Sequence, residues 1–277
     1  MTRWVTGRRP EDDRDPHRPC GESRSGGGES HPEGGGARTQ RAGGVPGLPG
    51  HYPLTWHGQE LHLLGDGALH WPSRGTLLVA DLHLGKEAVF RARGLPIPDG
   101  AGQETLNRLE RTRTRHLATN VVILGDLVHG PEGWTPETVT AIRNWRTRVP
   151  GTVWWIRGNH DRAAGASPHP LGLEEVEEGV VWSGLELRHT PPHDGLESPP
   201  VICGHLHPVI RLRASGSRGR LPCFVVDPQV LVLPAYGVFT GGHPVERRPE
   251  RRLLVAAQEA VVEVARTRTG RGSGHRR

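Results

Sequence analysis

The sequence predicts an α/β fold, a four-layer α/β/β/α sandwich in which two mixed sheets pack face to face with helices outside. Two observations predict it. Strands and helices alternate between residues 76 and 179, and from Val180 onward the pattern is one of strands alone. A βαβ half followed by an all-β half favours two stacked sheets. The 277 residues suffice for one well-buried domain with tails to spare.

The first half opens with three short strands, separated by the turns 57–58 and 65–67, before strands and helices alternate. Apolar, β-branched runs predict strands at 54–56, 60–64, 68–71, 76–80, 121–124 and 153–156. Helical patterns cover 86–93, 103–116 and 136–148. The third begins with Thr135 as N-cap and Pro136 at the first helical position.

The second half contains only strand patterns. They cover residues 180–182, 185–189, 201–203, 209–213, 222–226, 230–233, 253–257 and 260–264. Residues 1–48 are rich in Gly, Pro, Arg, Glu and Asp and nearly free of aliphatics, so we expect a disordered tail. Residues 266–277 are expected to form a second, basic disordered tail, which leaves 49–265 as the folded domain.

Composition narrows the class of protein. No apolar stretch approaches the ~20 residues of a membrane helix, and no secretory signal is recognisable, so we expect a soluble cytoplasmic protein. Three cysteines without paired spacing argue against a disulfide framework, and Cys203 and Cys223 are interpreted as buried thiols. The net charge of +5 gives weak support for a polyanionic partner, although such charge is usually a solvated surface.

Four short segments carry the chemistry of the chain. Each follows a predicted buried strand: 81–83 (DLH), 125–129 (GDLVH), 158–161 (GNHD) and 204–207 (GHLH). Because buried strands of a sheet end side by side, their oxygen and nitrogen donors are expected to meet at one sheet edge. Carboxylates and imidazoles without thiols suit a divalent ion such as Mn, Fe or Zn.

The ordered set of segments resembles the calcineurin-like metallophosphoesterase superfamily over residues 76–242. Further segments resemble a bacterial subfamily, the ligase-associated DNA-damage-response phosphoesterases. They are 80–86 (ADLHLGK), 90–94 (FRARG), 220–224 (RLPCF) and 233–242 (LPAYGVFTGG). That subfamily is named for its gene neighbours, an ATP-dependent DNA ligase and a helicase, which the resemblance implies as possible partners.

The resemblance implies two divalent ions, with Mn favoured and Fe or Zn as alternatives. Asp81, His83 and His207 would hold the first ion, Asn159, His189 and His205 the second, and Asp126 would bridge them. A shared carboxylate offsets the repulsion between the ions, which together clamp the attacking and leaving oxygens. His189 stands alone after its strand, where a structural role is the alternative interpretation.

The resemblance also implies catalytic side chains. His160 would be the general acid, with Asp161 fixing its tautomer; the alternative is that these residues form a capped turn. Protein Ser/Thr phosphatases of the superfamily have Asp-Arg-Gly after the bridging Asp, whereas this chain has His129, as double-strand-break repair nucleases do. His129 would stabilise the phosphodiester transition state, or else form a surface turn or contact Asp126.

Four basic residues near these segments are candidates for substrate phosphate contacts, and a solvated surface is the alternative. They are Lys86, Arg91, Arg93 and Arg162. The sequence thus predicts a dinuclear-metal phosphodiesterase, a nuclease acting on DNA in damage response and repair. The alternatives are a small-molecule or nucleotide phosphoesterase and a non-catalytic scaffold. The complete ligand and acid set disfavours the scaffold.

Overall fold

The computed structural model describes residues 50–192, 199–214 and 217–264. The two expected tails, 1–48 and 266–277, lie outside this part of the chain, as does Cys20. Cys203 and Cys223 are both buried free thiols, as predicted. Among the described residues, no helix is long and apolar enough to cross a membrane.

The first sheet has seven strands in chain order. They are β1 His51–Trp56, β2 Gln59–Leu64, β3 Leu69–Trp71, β4 Thr76–Val79, β5 Asn120–Leu124, β6 Val153–Ile156 and β7 Glu174–Val176. Strands β1 to β4 pair antiparallel, and β4 to β7 pair parallel. Strand β4 is fully buried, as expected of a central strand covered on both faces.

The second sheet has nine strands. They are β8 Val180–Trp182, β9 Leu185–Leu187, β10 Val201–Cys203, β11 Pro208–Ala214, β12 Ser217–Val226, β13 Val230–Val232, β14 His243–Pro244, β15 Arg252–Ala256 and β16 Val261–Glu263. The main order is β14-β11-β12-β13-β10-β9-β8, and β15 joins through β12. Strand β10 pairs parallel with both β9 and β13. The predicted sandwich of two mixed sheets is confirmed.

The helices all precede β7 in the described chain. They are α1 Lys86–Ala92, α2 Ala101–Arg115, α3 Pro136–Arg146 and α4 Asn159–Ala164. The predicted start of α3 is confirmed, because the Thr135 hydroxyl accepts the Thr138 N–H at 3.1 Å. Sequence analysis missed α4, β7 and β14, which are too short for a periodic pattern to show.

Three apolar clusters hold the layers together. Helices α2 and α3 bury Leu109 and Trp145 against the first sheet. The interface between the two sheets contains the side chains of Trp71, Phe224 and Leu254, all fully buried. A third cluster, on the other face of the second sheet, consists of strand residues with Val245 and Val264 packed against it. This packing aligns the carboxyl ends of β4, β5 and β6 with those of β9 and β10.

A row of histidines crosses strands β1 to β3 of the first sheet. His62 and His70 are partners across β2 and β3, and the rings of His51 and His116 extend the row at 4.6 Å from His62 and 5.4 Å from His70. The Nδ1 atom of His70 is buried without a hydrogen-bond partner in the described chain. Burial, followed by the charges of His116, His62 and His51, lowers the pKa of His70 to about 4.

This row predicts a loss of stability in acid. The folded pKa of His70 is below the value near 6.5 of an unfolded chain, so the unfolded state binds more protons between these values. The stabilisation is therefore full above pH 6.5 and is lost as the pH falls toward 4. His70→Gln should lose less unfolding free energy than the wild type between pH 7 and pH 5 in urea titrations. The exposed His169→Gln is the control; equal losses in wild type and His70→Gln would refute the role of His70.

Candidate metal centre

The carboxyl ends of parallel strands from both sheets bring the predicted ligands to one edge of the sandwich. Asp81 follows β4, Asp126 follows β5, Asn159 follows β6, His189 follows β9, and His205 and His207 follow β10. Backbone hydrogen bonds tie these ends together: the N–H of Asp81 donates to Gly125 at 3.1 Å, and that of Gly204 donates to His189 at 3.1 Å. The expectation that these donors meet is therefore confirmed.

The first group of donors combines residues that follow β4, β5 and β10. Asp81, His83, Asp126 and His207 each offer one ligand atom within 4.8 Å of all the others. His83 Nε2 lies 3.2 Å from His207 Nε2 and 3.8 Å from Asp126 Oδ2, and His207 Nε2 lies 3.4 Å from Asp81 Oδ1. All but His207 are buried.

The second group combines residues that follow β5, β6, β9 and β10. Asp126, His189 and His205 offer ligand atoms within the same mutual distance of 4.8 Å. His189 Nε2 is the centre of this group: it lies 3.5 Å from Asp126 Oδ2, 3.1 Å from His205 Nδ1 and 2.9 Å from Asn159 Oδ1. The structure therefore places His189, the one isolated residue of the sequence-predicted set, among the other donors.

Asp126 belongs to both groups, through the same oxygen. Its Oδ2 faces His83 on one side and His189 on the other. Its other oxygen, Oδ1, accepts a hydrogen bond from the backbone N–H of His160 at 2.9 Å. One carboxylate oxygen common to two donor groups is the arrangement expected of a bridge between two cations.

Several acceptor atoms in the two groups lack a hydrogen-bond donor, which is the situation expected where a cation binds. His189 Nδ1 lies 3.0 Å from the carbonyl oxygen of Leu124, which can only accept, so Nδ1 carries a proton; in the neutral ring, Nε2 then presents a lone pair to Asn159 Oδ1. Asp81 Oδ1 is fully buried with no hydrogen-bond partner in the described chain. Acceptors that face acceptors, and a buried carboxylate oxygen without a donor, are costly unless a positive charge lies between them.

Burial sets the protonation of these side chains. It lowers the pKa of His83 and of His205, so both rings are held neutral, the form that binds metal ions. Burial also raises the pKa of Asp126 to about 6, with Asp81 adding to the increase and His189 opposing it. A divalent cation beside Asp126 would favour its ionised form and so reverse that shift.

The backbone of the ligand residues is strained. Five of the seven predicted ligands have positive φ angles, 57° at Asp81, 48° at His83, 51° at Asp126, 70° at His205 and 45° at His207. Non-glycine residues rarely adopt this left-handed region, and each costs on the order of 1–3 kcal/mol. Such strain persists where the surrounding structure fixes it, as at binding sites. The sequence carries no signal for it.

Two motif glycines provide the space that the ligands occupy. A Cβ atom on Gly125 would overlap the ring of His189, and one on Gly158 would overlap the carboxylate of Asp126. Gly125 also has a φ of 81°, which a larger residue would adopt only with strain. The glycines of the 125–129 and 158–161 segments are therefore explained by the close approach of a ligand from another strand.

The structure corrects the partner that sequence analysis assigned to His160. His160 Nδ1 lies 2.7 Å from the backbone carbonyl of His129, not against Asp161. Asp161 is fully buried, and its carboxylate accepts hydrogen bonds from the N–H groups of Val128 at 2.9 Å, Gly158 at 3.0 Å and the Trp155 indole at 3.0 Å. Asp161 does not reach His160 because two backbone N–H groups and one indole N–H already occupy its carboxylate. Its role is therefore to anchor the 158–161 segment.

His129 is half-buried among histidines, which argues against the alternative of a simple surface turn. Its Nδ1 lies 3.0 Å from His83 Nδ1, and its ring stacks on that of His160 with centroids 4.5 Å apart. The ring nitrogen therefore contacts His83, whereas the alternative interpretation had it contact Asp126. When His83 binds a cation through Nε2, its Nδ1–H can donate to His129, which fixes the orientation of both rings.

The four basic candidates fall into two pairs. Lys86 Nζ lies over the rings of Phe90 and Phe239, at 5.7 and 5.8 Å, and burial lowers its pKa. Burial is the largest cause that lowers the pKa of His129, and the positive charges of Lys86 and Arg93 lower it further, so both cations act on the histidines. Both phenylalanines lie in the segments that resemble the subfamily, but the sequence assigned them no role, because an apolar residue alone gives no signal of function.

Arg91 and Arg162 are engaged by other protein groups. Arg91 Nη1 lies 2.5 Å from Asp99 and donates to the Ile97 carbonyl at 3.1 Å. Arg162 Nη1 donates to the carbonyl of Arg157 at 2.7 Å and lies 3.7 Å from Glu178. The structure therefore does not direct either guanidinium toward the histidines.

Comparison with known proteins supports a phosphoesterase site. A family model described as calcineurin-like phosphoesterase matches residues 76–212. The chain is 41% identical to the crystal structure of the Pseudomonas putida nuclease MPE, with a TM-score of 0.66, and the match covers 77% of this chain and 100% of that one. No curated protein sequence matches the chain.

A second solved structure is much less similar. The zinc complex of Vps29 from Entamoeba histolytica is 17% identical with a TM-score of 0.29, over 68% of this chain and 96% of that chain. The match to the nuclease agrees, in its extent and identity, with the family model and with the two donor groups. The chain therefore belongs to the calcineurin-like phosphoesterase family, whose members hydrolyse phosphoesters with divalent metal ions.

Proposed function

We propose that the protein is a two-metal phosphodiesterase that cleaves DNA. The observation that carries this proposal is the sharing of Asp126 Oδ2 by two donor groups, with His160 and His129 stacked beside them. Asp81, His83 and His207 would complete the first metal site, and Asn159, His189 and His205 the second. Their carboxylate, amide and imidazole donors suit Mn, with Fe and Zn as alternatives.

Two divalent cations bound there would neutralise phosphate charge and acidify an attacking water. The chain's own residues supply the rest. Because His160 Nδ1 donates to the His129 carbonyl, Nε2 is the nitrogen available to hold a proton for the leaving oxygen. The bond from the His160 N–H to Asp126 Oδ1 ties this acid to the bridging carboxylate, so the acid and both metal sites keep one geometry.

The choice of DNA as substrate has three supports. The Pseudomonas putida structure is that of a nuclease, at 41% identity over its whole length. Lys86 and Arg93 lie near His129, where they can contact phosphates. His129 occupies the place where the protein phosphatases of the superfamily carry a different signature. A role in DNA damage response, endonuclease action and association with a DNA ligase and a helicase stay predictions from the subfamily resemblance.

Removal of the proposed acid should separate metal binding from catalysis. His160→Ala should retain two metal ions by elemental analysis, yet lose roughly 10²–10⁴-fold in turnover of DNA, whose leaving alkoxide needs a proton. Bis-p-nitrophenyl phosphate has an activated leaving group and should lose less. The exposed His169→Ala is the matched control. Equal losses on the two substrates would exclude an acid role for His160.

DNA binding should depend on salt through the basic residues at the site. Phosphate contacts release counterions, so the affinity of His160→Ala for single- and double-stranded oligonucleotides should fall linearly in log–log form with salt. Adding Arg93→Ala should reduce that slope by about one unit. Arg74→Ala should not, because the exposed Arg74 precedes β4 and so lies at the opposite end of the strand from Asp81.

DNA affinity and ester hydrolysis, taken together, discriminate between the alternative functions. No measurable DNA affinity at low salt, combined with rapid hydrolysis of bis-p-nitrophenyl phosphate, would favour a small-molecule or nucleotide phosphoesterase. Absence of hydrolysis of every ester after loading with Mn would favour the non-catalytic scaffold.

A further inference from the structure

A second basic site adjoins the metal centre on its β10 side. A cavity of about 340 Å³, here called the rim cavity, is lined by Arg108, His207, Arg220, Thr240 and Asp66 among others. His207 is also a member of the first donor group, so the rim cavity and the metal site share a wall. Neither Arg108 nor Arg220 belongs to the four basic residues that the sequence suggested for phosphate contacts.

Arg108 is held in place as part of this wall. Its guanidinium lies over the ring of Tyr236, 4.2 Å from the centroid, and its Nη2 donates to the Tyr236 carbonyl. Its Nε is buried with no hydrogen-bond partner in the described chain. Thr240 Oγ1, on the same cavity, is likewise buried without a partner among the described residues. A cation that is held fixed on the wall of a cavity favours an anionic ligand.

The acidic residue of the rim cavity does not neutralise these donors. Asp66 accepts hydrogen bonds from the hydroxyls of Thr112 and Tyr236 and from the Ala68 N–H, so neutral donors occupy its oxygens. Arg108 on α2 and Arg220 on β12 bring two positive charges to the cavity wall against the one negative charge of Asp66.

Arg220 stands in a repulsive arrangement that an anion would relieve. It lies directly opposite Arg211 across the antiparallel pair β11 and β12, and both residues are exposed. Within the described chain neither forms an ion pair. Like charges opposite each other destabilise a sheet unless a counter-charge is present.

We propose that the rim cavity binds the phosphate of the DNA strand next to the scissile one, through Arg220 and Arg108. This proposal rests on the proposed phosphodiesterase function. It assigns a role to the 220–224 segment, which resembles the subfamily but takes no part in the metal centre. Arginine suits the site because its planar fork can bind two phosphate oxygens at once.

The test uses nucleoside esters with and without a second phosphate. The probes are the 5′- and the 3′-p-nitrophenyl phosphate esters of thymidine, each with the other hydroxyl free or phosphorylated. For one of the two isomers, the added phosphate should raise kcat/KM of the Mn-loaded wild type by about tenfold, the worth of one good hydrogen bond to a charged group. In Arg220→Ala the ratio of kcat/KM with the second phosphate to kcat/KM without it should fall toward one, whereas Arg74→Ala should keep the ratio of the wild type.

Two results would overturn the proposal: no gain from the second phosphate in either isomer of the wild type, or an equal gain in wild type and Arg220→Ala. Failure of the parent esters to be hydrolysed would count against the phosphodiesterase function instead. Calorimetric binding of thymidine 3′,5′-bisphosphate to the Mn-loaded proteins then tests phosphate binding by the rim cavity independently of catalysis. Weaker binding to Arg220→Ala than to Arg74→Ala supports it, and equal binding refutes it.

Discussion

The carboxylate of Asp126 is the constraint on which the site depends. Its two oxygens serve different parts of the site: Oδ2 faces both donor groups, and Oδ1 accepts the N–H of His160. Because that carboxylate is buried where the carboxyl ends of strands from both sheets meet, its position is fixed by the sandwich itself. The acid and both candidate metal sites are therefore oriented by one group at the end of β5.

This arrangement is costly to the fold without cations. Burial raises the pKa of Asp126, Asp81 Oδ1 has no donor among the described residues, and several ligand residues have left-handed backbone conformations. The apolar interface between the sheets supplies stability that offsets these costs. Bound cations would remove the electrostatic part of them. The metal centre thus destabilises the fold locally, and packing elsewhere in the domain compensates for it, as is common for functional sites.

The sequence predicts much of this fold, because long apolar strands and strand-end motifs leave a clear pattern. The three strands that end at Asp81, Asp126 and Asn159 were predicted within about one residue, and their convergence follows from parallel pairing. The contacts of single side chains do not follow from pattern. Asp161 is adjacent to His160 in sequence yet binds Val128 and the indole of Trp155, since tertiary donors compete for it. The rim cavity likewise needs Arg108 and Arg220, which are far apart in the chain, to be placed on one wall.

The central claim is that Asp126 bridges two cations, and electron paramagnetic resonance of the Mn-loaded protein tests it most directly. Two Mn ions joined by one carboxylate are magnetically coupled. The wild type with two equivalents of Mn should give the spectrum of a coupled pair, and Asp126→Asn should lose it. The exposed Asp99→Asn, whose residue pairs with Arg91 away from the site, should keep it. Spectra of isolated Mn ions in the wild type at two equivalents, or a coupled pair that survives in Asp126→Asn, would contradict the bridge.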